Sequence, residues 1–365
     1  MICGPLDKHL GRHGSCMRTS KLAESLIGQP MFKIIDEARK LEQRGIDVVH
    51  LEIGDPDFDT PEFIRESGAR AILEGDTHYV SSWGMPELRQ AVQDVTELSR
   101  DFRPELNQVL ITPGANISIY YAIATTTDPG EEVLYPSPGF PTYQSTVLAT
   151  GTVGVPYPLK SEQGFSIKAE NIEPLITPKT RLLILNSPQN PTGAVTSEKD
   201  LREVFELAEK YNLWIYSDEI YARMNYGDVP HFSLATIDAC RKRVILSNGF
   251  SKAFAMTGWR LGTIIAPEEI ASKMMLLLQT TSSCVSPFIQ RAGLSALRGD
   301  QSVINDMMRV YRERRDFVVD QLNSIPGIEC HTPGGAFYVF PSIKSFKLSS
   351  EEFCDRLLLD GFVAA

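Results

Sequence analysis

The chain has 365 residues, 42% of them hydrophobic and 22% charged, a balance that excludes a disordered tail, a collagen and a disulfide-stapled miniature. A net charge of −10 leaves no overall basic field for DNA, RNA or an anionic membrane, so no nucleic-acid or membrane partner is expected. Six cysteines lie scattered without C-x-x-C or zinc-finger spacing, which points to free thiols in a reducing, cytoplasmic setting and to no metal site.

Residues 1–20, MICGPLDKHLGRHGSCMRTS, lack the apolar stretch of a secretory signal and read as a loose leader. No apolar run approaches the ~20 residues that span a bilayer. From 25 to 42, Met31, Ile34, Ile35, Ala38 and Leu41 recur at helical spacing. VVHLEIGDPDF then gives a short strand ending in the turn Gly54-Asp55-Pro56. Residues 60–100 are helical in pattern, interrupted near HYVSSWGMP. The middle of the chain alternates strand-like runs at 109–112, 132–135, 181–186, 213–217, 243–247 and 261–265 with helical stretches such as 197–211. That alternation predicts an α/β fold with a mostly parallel sheet flanked by helices. A long helical pattern runs from 268 to about 322. A small mixed piece, GIECHTPGGAFYVFPSI, a helix over 349–359 and GFVAA complete the chain.

The polar and Gly-rich turns share one location. Thr112-Pro113-Gly114-Ala115-Asn116, Ser137-Pro138-Gly139-Phe140, Asn186-Ser187-Pro188-Gln189-Asn190, Asp218-Glu219 and Gly249-Phe250-Ser251-Lys252 each follow a predicted strand. Open α/β sheets bind ligands beyond the carboxyl ends of their strands, so these turns predict one site. In SNGFSKAFAMTGWRLG, Lys252 leaves a strand and Arg260 follows. A lone lysine or arginine is usually a solvated surface residue. This pair instead sits in an apolar stretch with Phe250, Phe254, Met256, Trp259 and Leu261. A desolvated lysine has a lowered pKa and forms a Schiff base with a carbonyl. An arginine beside it suits a dianionic phosphate.

This segment resembles the lysine motif of the class I/II aminotransferases, the fold-type I pyridoxal-phosphate enzymes that include aspartate, alanine and aromatic aminotransferases. The resemblance runs from about Lys21 to Ala365. It implies a pyridoxal 5'-phosphate enzyme that moves an amino group between an amino acid and a 2-oxo acid by ping-pong exchange. On that likeness Lys252 carries the Schiff base and passes the substrate proton, and Arg260 binds the cofactor phosphate. Asp218, in D-E-I-Y, faces the ring nitrogen. Tyr221 and Asn190 contact the phenolic oxygen, and Asn190 also touches substrate. Gly114, Ala115 and Asn116 form the phosphate loop, where a helix N-terminus offers its N–H groups. Phe140 stacks on the ring, Gly54 faces the substrate carboxylate, and Tyr79 reaches the phosphate of a neighbouring subunit, which implies a homodimer.

The likeness has departures. Many members carry serine where this chain has Gly249. Dicarboxylate-specific members carry an arginine near the place of Thr281. The family continues past a helix like that over 349–359 to an arginine that clamps the substrate carboxylate. Here the chain ends at Ala365, and no residue is assigned that role. The implied division is a leader (1–20), an arm and part of a small domain (21–59), a large cofactor domain (60–290) and a C-terminally incomplete small domain (291–365). Two other readings stay open. One is a different reaction on the same cofactor, a β-lyase or a cyclopropane-forming synthase. The other is a cofactor-binding but inactive homologue. No G-x-G-x-x-G, P-loop, H-E-x-x-H or G-x-S-x-G motif supports another enzyme class.

Overall fold

Among the described residues nine strands alternate with helices: β1 (Val49–His50), β2 (Val109–Thr112), β3 (Glu132–Ser137), β4 (Val153–Pro158), β5 (Thr180–Asn186), β6 (Trp214–Asp218), β7 (Val244–Gly249), β8 (Gly262–Ile265) and β9 (Val363–Ala364). The computed structural model describes residues 18–28 and 30–365, and residues 1–17 of the expected leader lie outside these. Seven strands form one sheet in the order β2-β8-β7-β6-β5-β3-β4. All pair in parallel except β8, which runs against both its neighbours.

Strands β2, β5, β6, β7 and β8 are largely buried on both faces, which is why they read as continuous aliphatic runs. Successive side chains point to opposite faces of a sheet. Val109, Ile111, Leu183, Leu185, Val244 and Leu246 accordingly enter one hydrophobic cluster, and Leu110, Leu182, Ile184 and Ile245 enter another. Helices Pro86–Arg100, Glu198–Lys210 and Pro287–Arg298 cover the first face, through Leu88 and Val92, Val204 and Phe205, and Ala292 and Ala296. Helices Asn116–Thr126 and Glu268–Ser282 cover the second, through Ile119, Ile123, Met274 and Leu278. The architecture is the expected α/β fold with helices on both faces.

Two local features depart from the sequence pattern. β4, VGVPYP, was not predicted. It carries Gly154, Pro156 and Pro158, and it occupies the sheet edge, where a missing N–H is tolerated. The long helical pattern after 268 divides into Glu268–Ser282, Pro287–Arg298 and Ser302–Ser324. The first break falls at Ser283, whose φ of 61° ends the helix, and Pro287 opens the next.

The two ends of the chain meet. β1 pairs in parallel with β9, Val49 against Val363 and His50 against Ala364. Ala38, Leu41, Val48, Leu358 and Ala364 form a small core of their own beneath that pairing. The helix Ser350–Gly361 that leads into β9 opens on a capping box between Ser349 and Glu352. Among the described residues no helix is long and apolar enough to cross a membrane.

Candidate active site

A cavity of about 580 Å³ opens at the carboxyl edge of the parallel strands. Each predicted turn reaches it. β2 delivers Ala115 and Asn116, β3 delivers Phe140, and β5 delivers Asn190. β6 delivers Asp218 and Tyr221, and β7 delivers Lys252. Arg260 arrives differently, because it precedes β8. Since β8 is antiparallel, its first residue lies at the same edge as the last residue of β7, and Gly249 pairs with Gly262.

Lys252 is the amine of the cavity. Its Nζ donates to the carbonyl of Gly54 and stands 5.2 Å from the centre of the Phe337 ring. Burial pushes the amine down to about 8; Asp55 partly offsets this, and the Arg260 charge adds to it. Asp218 is the buried carboxyl at the floor. Its Oδ2 accepts from the Tyr143 hydroxyl at 2.8 Å, and its Oδ1 accepts from the Ile220 N–H at 3.3 Å. Burial lifts it to about 6, against the pull of these two donors, while the neighbouring Glu219 pushes it further up. Asn186 Nδ2 donates to the Asp218 carbonyl at 3.0 Å, and Asn186 Oδ1 accepts from the Asn190 N–H at 2.8 Å. The asparagine turn and the aspartate are thus fixed to each other.

The phosphate-like end is built from backbone. Gly114 has a φ of +88°, and a Cβ there would lie 2.6 Å from Arg260 Nη2. Only glycine lets the guanidinium approach the loop so closely. The helix Asn116–Thr126 begins at this point, and Ala115 and Asn116 at its start line the cavity together with Arg260. Arg260 itself has a φ of 53°, and its Nη1 donates to the Thr257 carbonyl at 2.8 Å.

Phe140 lines the wall and meets Tyr143 edge to face at 5.7 Å. Tyr221 and Tyr338 share a hydrogen bond between their hydroxyls at 2.6 Å, and Asn190 Nδ2 donates to Tyr338 at 3.3 Å. Burial pushes the Tyr221 hydroxyl well above its ordinary range and the Tyr338 hydroxyl up to about 12. Gly54 closes the cavity opposite, where a Cβ would run into the Tyr338 ring. Tyr79 is not brought into the cavity: it is 88% exposed.

Sequence reading missed Tyr143, Tyr338 and the environment of Glu219. Tyr143 follows Phe140 in the same F-P-T-Y turn, and Tyr338 closes G-G-A-F-Y, so both lay in segments already singled out. The Glu219 environment gave no signal, because its partner Arg100 is 119 residues away. Space is tight at Gly249. A Cβ there would sit 2.9 Å from Ile220 Cδ1 and 3.2 Å from the Leu261 carbonyl oxygen. Thr281 forms a hydrogen bond with the Tyr121 hydroxyl at 2.8 Å. Among the described residues, the cations lining the cavity are Lys252 and Arg260.

This donor set fits pyridoxal 5'-phosphate. It offers a desolvated amine to attach an aldehyde, a buried carboxyl for a ring nitrogen, and hydroxyls for a phenolic oxygen. A glycine loop, a helix N-terminus and a guanidinium together suit a phosphate. A family model described as aminotransferase class I and II matches residues 46–364. Aromatic-amino-acid aminotransferase 2 of Thermococcus litoralis is 41% identical over 351 residues, covering 95% of this chain and 89% of that protein. An aspartate aminotransferase of Pyrococcus abyssi is 40% identical over 321 residues, covering 87% of this chain and 82% of that one. Among solved structures, the aspartate aminotransferase from Thermus thermophilus with maleate superposes with a TM-score of 0.91 at 32% identity, covering 95% of this chain and 91% of that chain. The chain belongs to the class I and II aminotransferases, the pyridoxal-phosphate-dependent enzymes that exchange amino groups between amino acids and 2-oxo acids.

Proposed function

We propose that this aminotransferase works through Lys252, Asp218 and Tyr221, with Gly114, Ala115, Asn116, Phe140, Asn190 and Arg260 holding the cofactor and Gly54 and Asn190 meeting the substrate. The carrying observation is the pairing of a buried amine at about 8 with a buried carboxyl on the floor of the same cavity. Bound pyridoxal phosphate supplies a conjugated ring that accepts the electron pair released at the substrate Cα. Lys252 Nζ would attach the cofactor; once released, its lone pair would take the Cα proton and return it to the cofactor C4′ carbon, two bonds away. A pKa near neutrality lets one group do both. Asp218 holds a proton on the ring nitrogen by ion pairing, in a place where little water competes. Tyr221 and Asn190 donate towards the phenolic oxygen, and Arg260 with the loop at Gly114 neutralises the phosphate.

The cavity wall favours an aromatic or other neutral amino donor. Phe32, Leu51, Ile53, Phe140 and Tyr338 line it, and no cation stands there beyond Lys252 and Arg260 among the described residues. The relatives' names include both aromatic and aspartate enzymes, so both classes of donor belong in the assay. We place the enzyme in the cytoplasm as a homodimer. Free thiols at Cys240, Cys284, Cys330 and Cys354 support the compartment. Exposed Leu26, Ile27, Leu51 and Tyr79 support a covering second copy. The division into a large domain over 60–290 and a small one from 21–59 and 291–365 goes with this reading.

The test loads the protein with pyridoxal phosphate, adds tyrosine, phenylalanine or aspartate, and follows cofactor absorbance and oxo-acid product. Formation of oxo acid and pyridoxamine phosphate, abolished in Lys252→Ala, is expected. Ammonia release without pyridoxamine phosphate would assign a lyase instead. Turnover surviving in Lys252→Ala would overturn the reading.

A further inference from the structure

Next to Asp218 lies a second buried carboxylate with an unusually complete set of partners. Glu219 has 2% of its side chain exposed and Arg100 has 8%. Arg100 donates to Glu219 Oε2 from Nη2 at 2.7 Å and from Nε at 3.2 Å, and His231 Nε2 lies 3.2 Å from the same oxygen. Ser233 and Ser217 hydroxyls donate to Oε1 at 2.7 and 3.1 Å. None of these groups touches the cavity, whose lining includes Asp218 but not Glu219.

Two adjacent buried carboxylates repel each other. An uncompensated charge on Glu219 would drive a proton onto Asp218 and deprive the cofactor ring of its counter-ion. Arg100 supplies the compensation. It closes the helix Pro86–Arg100 and also donates from Nε to Ser233 at 3.2 Å, tying the end of β6 to the loop that carries His231 and Ser233. We propose that Arg100 and Glu219 are positioning residues for Asp218: their buried ion pair cancels the charge beside it and fixes the strand end that aims its carboxylate at the ring nitrogen. The proposal rests on the assignment of Asp218 made above.

Other titratable groups bear on the pair. Facing Asp218 are the hydroxyls of Tyr143, Tyr216, Tyr221 and Tyr338. Facing Glu219, besides Arg100 and His231, is the buried Cys240 thiol; Arg223 lies within the field of Arg100. The tyrosine and cysteine groups are all pushed up by burial and stay neutral at neutral pH. The charges nearest the pair are therefore those of Arg100, Glu219 and Arg223.

The experiment titrates the full-length apoprotein with pyridoxal phosphate between pH 5 and pH 8 and locates the pH below which affinity falls. Comparison among variants cancels the titration of the phosphate and of Lys252. Arg100→Met should move that break upward by about one pH unit, a tenfold loss of affinity near the break. Glu219→Gln should move it downward, and the double variant should return to within a few tenths of a unit of the parent. A merely structural role weakens binding in both single variants in the same direction, and that result, or an unmoved break, overturns the proposal. If Arg100→Met does not fold, the sign of the Glu219→Gln shift decides alone. Asp218→Asn separates the two levels. If it keeps the break, the Asp218 assignment fails. If it abolishes the break while the other variants leave it in place, only the role of Arg100 and Glu219 fails.

Discussion

Tyr143 and Asp218 stand 75 residues apart in the chain and meet through one hydrogen bond of 2.8 Å from hydroxyl to carboxylate. The bond is buried, and it pulls down a carboxyl that burial pushes up. Tyr143→Phe removes the donor while keeping the ring against Phe140. A hydrogen bond to a charged group contributes about 1.5–3 kcal/mol, which corresponds to Asp218 rising by roughly one to two pH units. Pyridoxal-phosphate affinity at pH 7 should fall, and the fall should shrink above pH 8. Equal affinity in the two proteins at pH 7 would contradict this.

Lys252 gives a pH dependence of opposite origin. Its amine titrates at about 8 in the folded apoprotein, against about 10.4 for an unperturbed lysine. The folded state disfavours the charged form. The burial penalty is therefore present in full below pH 8 and disappears as pH rises towards the unfolded value. Apoprotein stability should gain about 3 kcal/mol across that window relative to Lys252→Met, whose curve lacks the term. Chemical denaturation at pH 7.5 and pH 10 measures it. Reductive trapping of the apoprotein by a simple aldehyde should rise with a midpoint near 8, well below that of surface lysines.

Gly249 is a tight place for a side chain. Gly249→Ser places a Cβ against Ile220 and the Leu261 carbonyl, and overpacking of this kind costs about 1–3 kcal/mol. Gly249→Ser should lower the melting temperature. It should also weaken cofactor binding, since Ile220 lies between Asp218 and Tyr221. An unchanged melting temperature would show that the neighbours yield freely.

Tyr79 is exposed, so Tyr79→Ala should change protomer stability by no more than about 0.5 kcal/mol. In the proposed dimer it reaches the phosphate held by the other copy, and losing a hydrogen bond to that charge costs about 1.5–3 kcal/mol of cofactor affinity. Analytical ultracentrifugation checks that the variant still associates, and a cofactor titration reads the loss. Unaltered affinity in a protein that is still dimeric removes Tyr79 from the site.

The aliphatic strands of the central sheet were legible because burial on both faces demands unbroken aliphatic sequence, as in β5, whose successive residues Leu182 to Leu185 serve the two cores in turn. β4 was not legible, because an exposed edge strand with two prolines carries no such demand. The turns at Gly114, Asn190, Asp218 and Lys252 were legible because glycine, proline and charge stand out directly after apolar runs. Contacts between distant segments left no mark. The side chain of Arg100 looks like any helix-terminal cation until the fold brings it to Glu219. Tyr338 looked like one more aromatic until its hydroxyl met Tyr221.

The reversed strand β8 makes a mechanical tether of the segment between Gly249 and Gly262. Both ends are pinned side by side on the sheet, so the loop between them works as a gauge of fixed length. One end of that gauge carries the amine of Lys252, and the other carries the guanidinium of Arg260. A residue inserted into or deleted from 253–259 would slide one anchor relative to the other while leaving the sheet intact. Its apolar side chains at Phe250, Phe254, Met256 and Leu261 are buried, so the segment has little room to take up such a change by bulging outward.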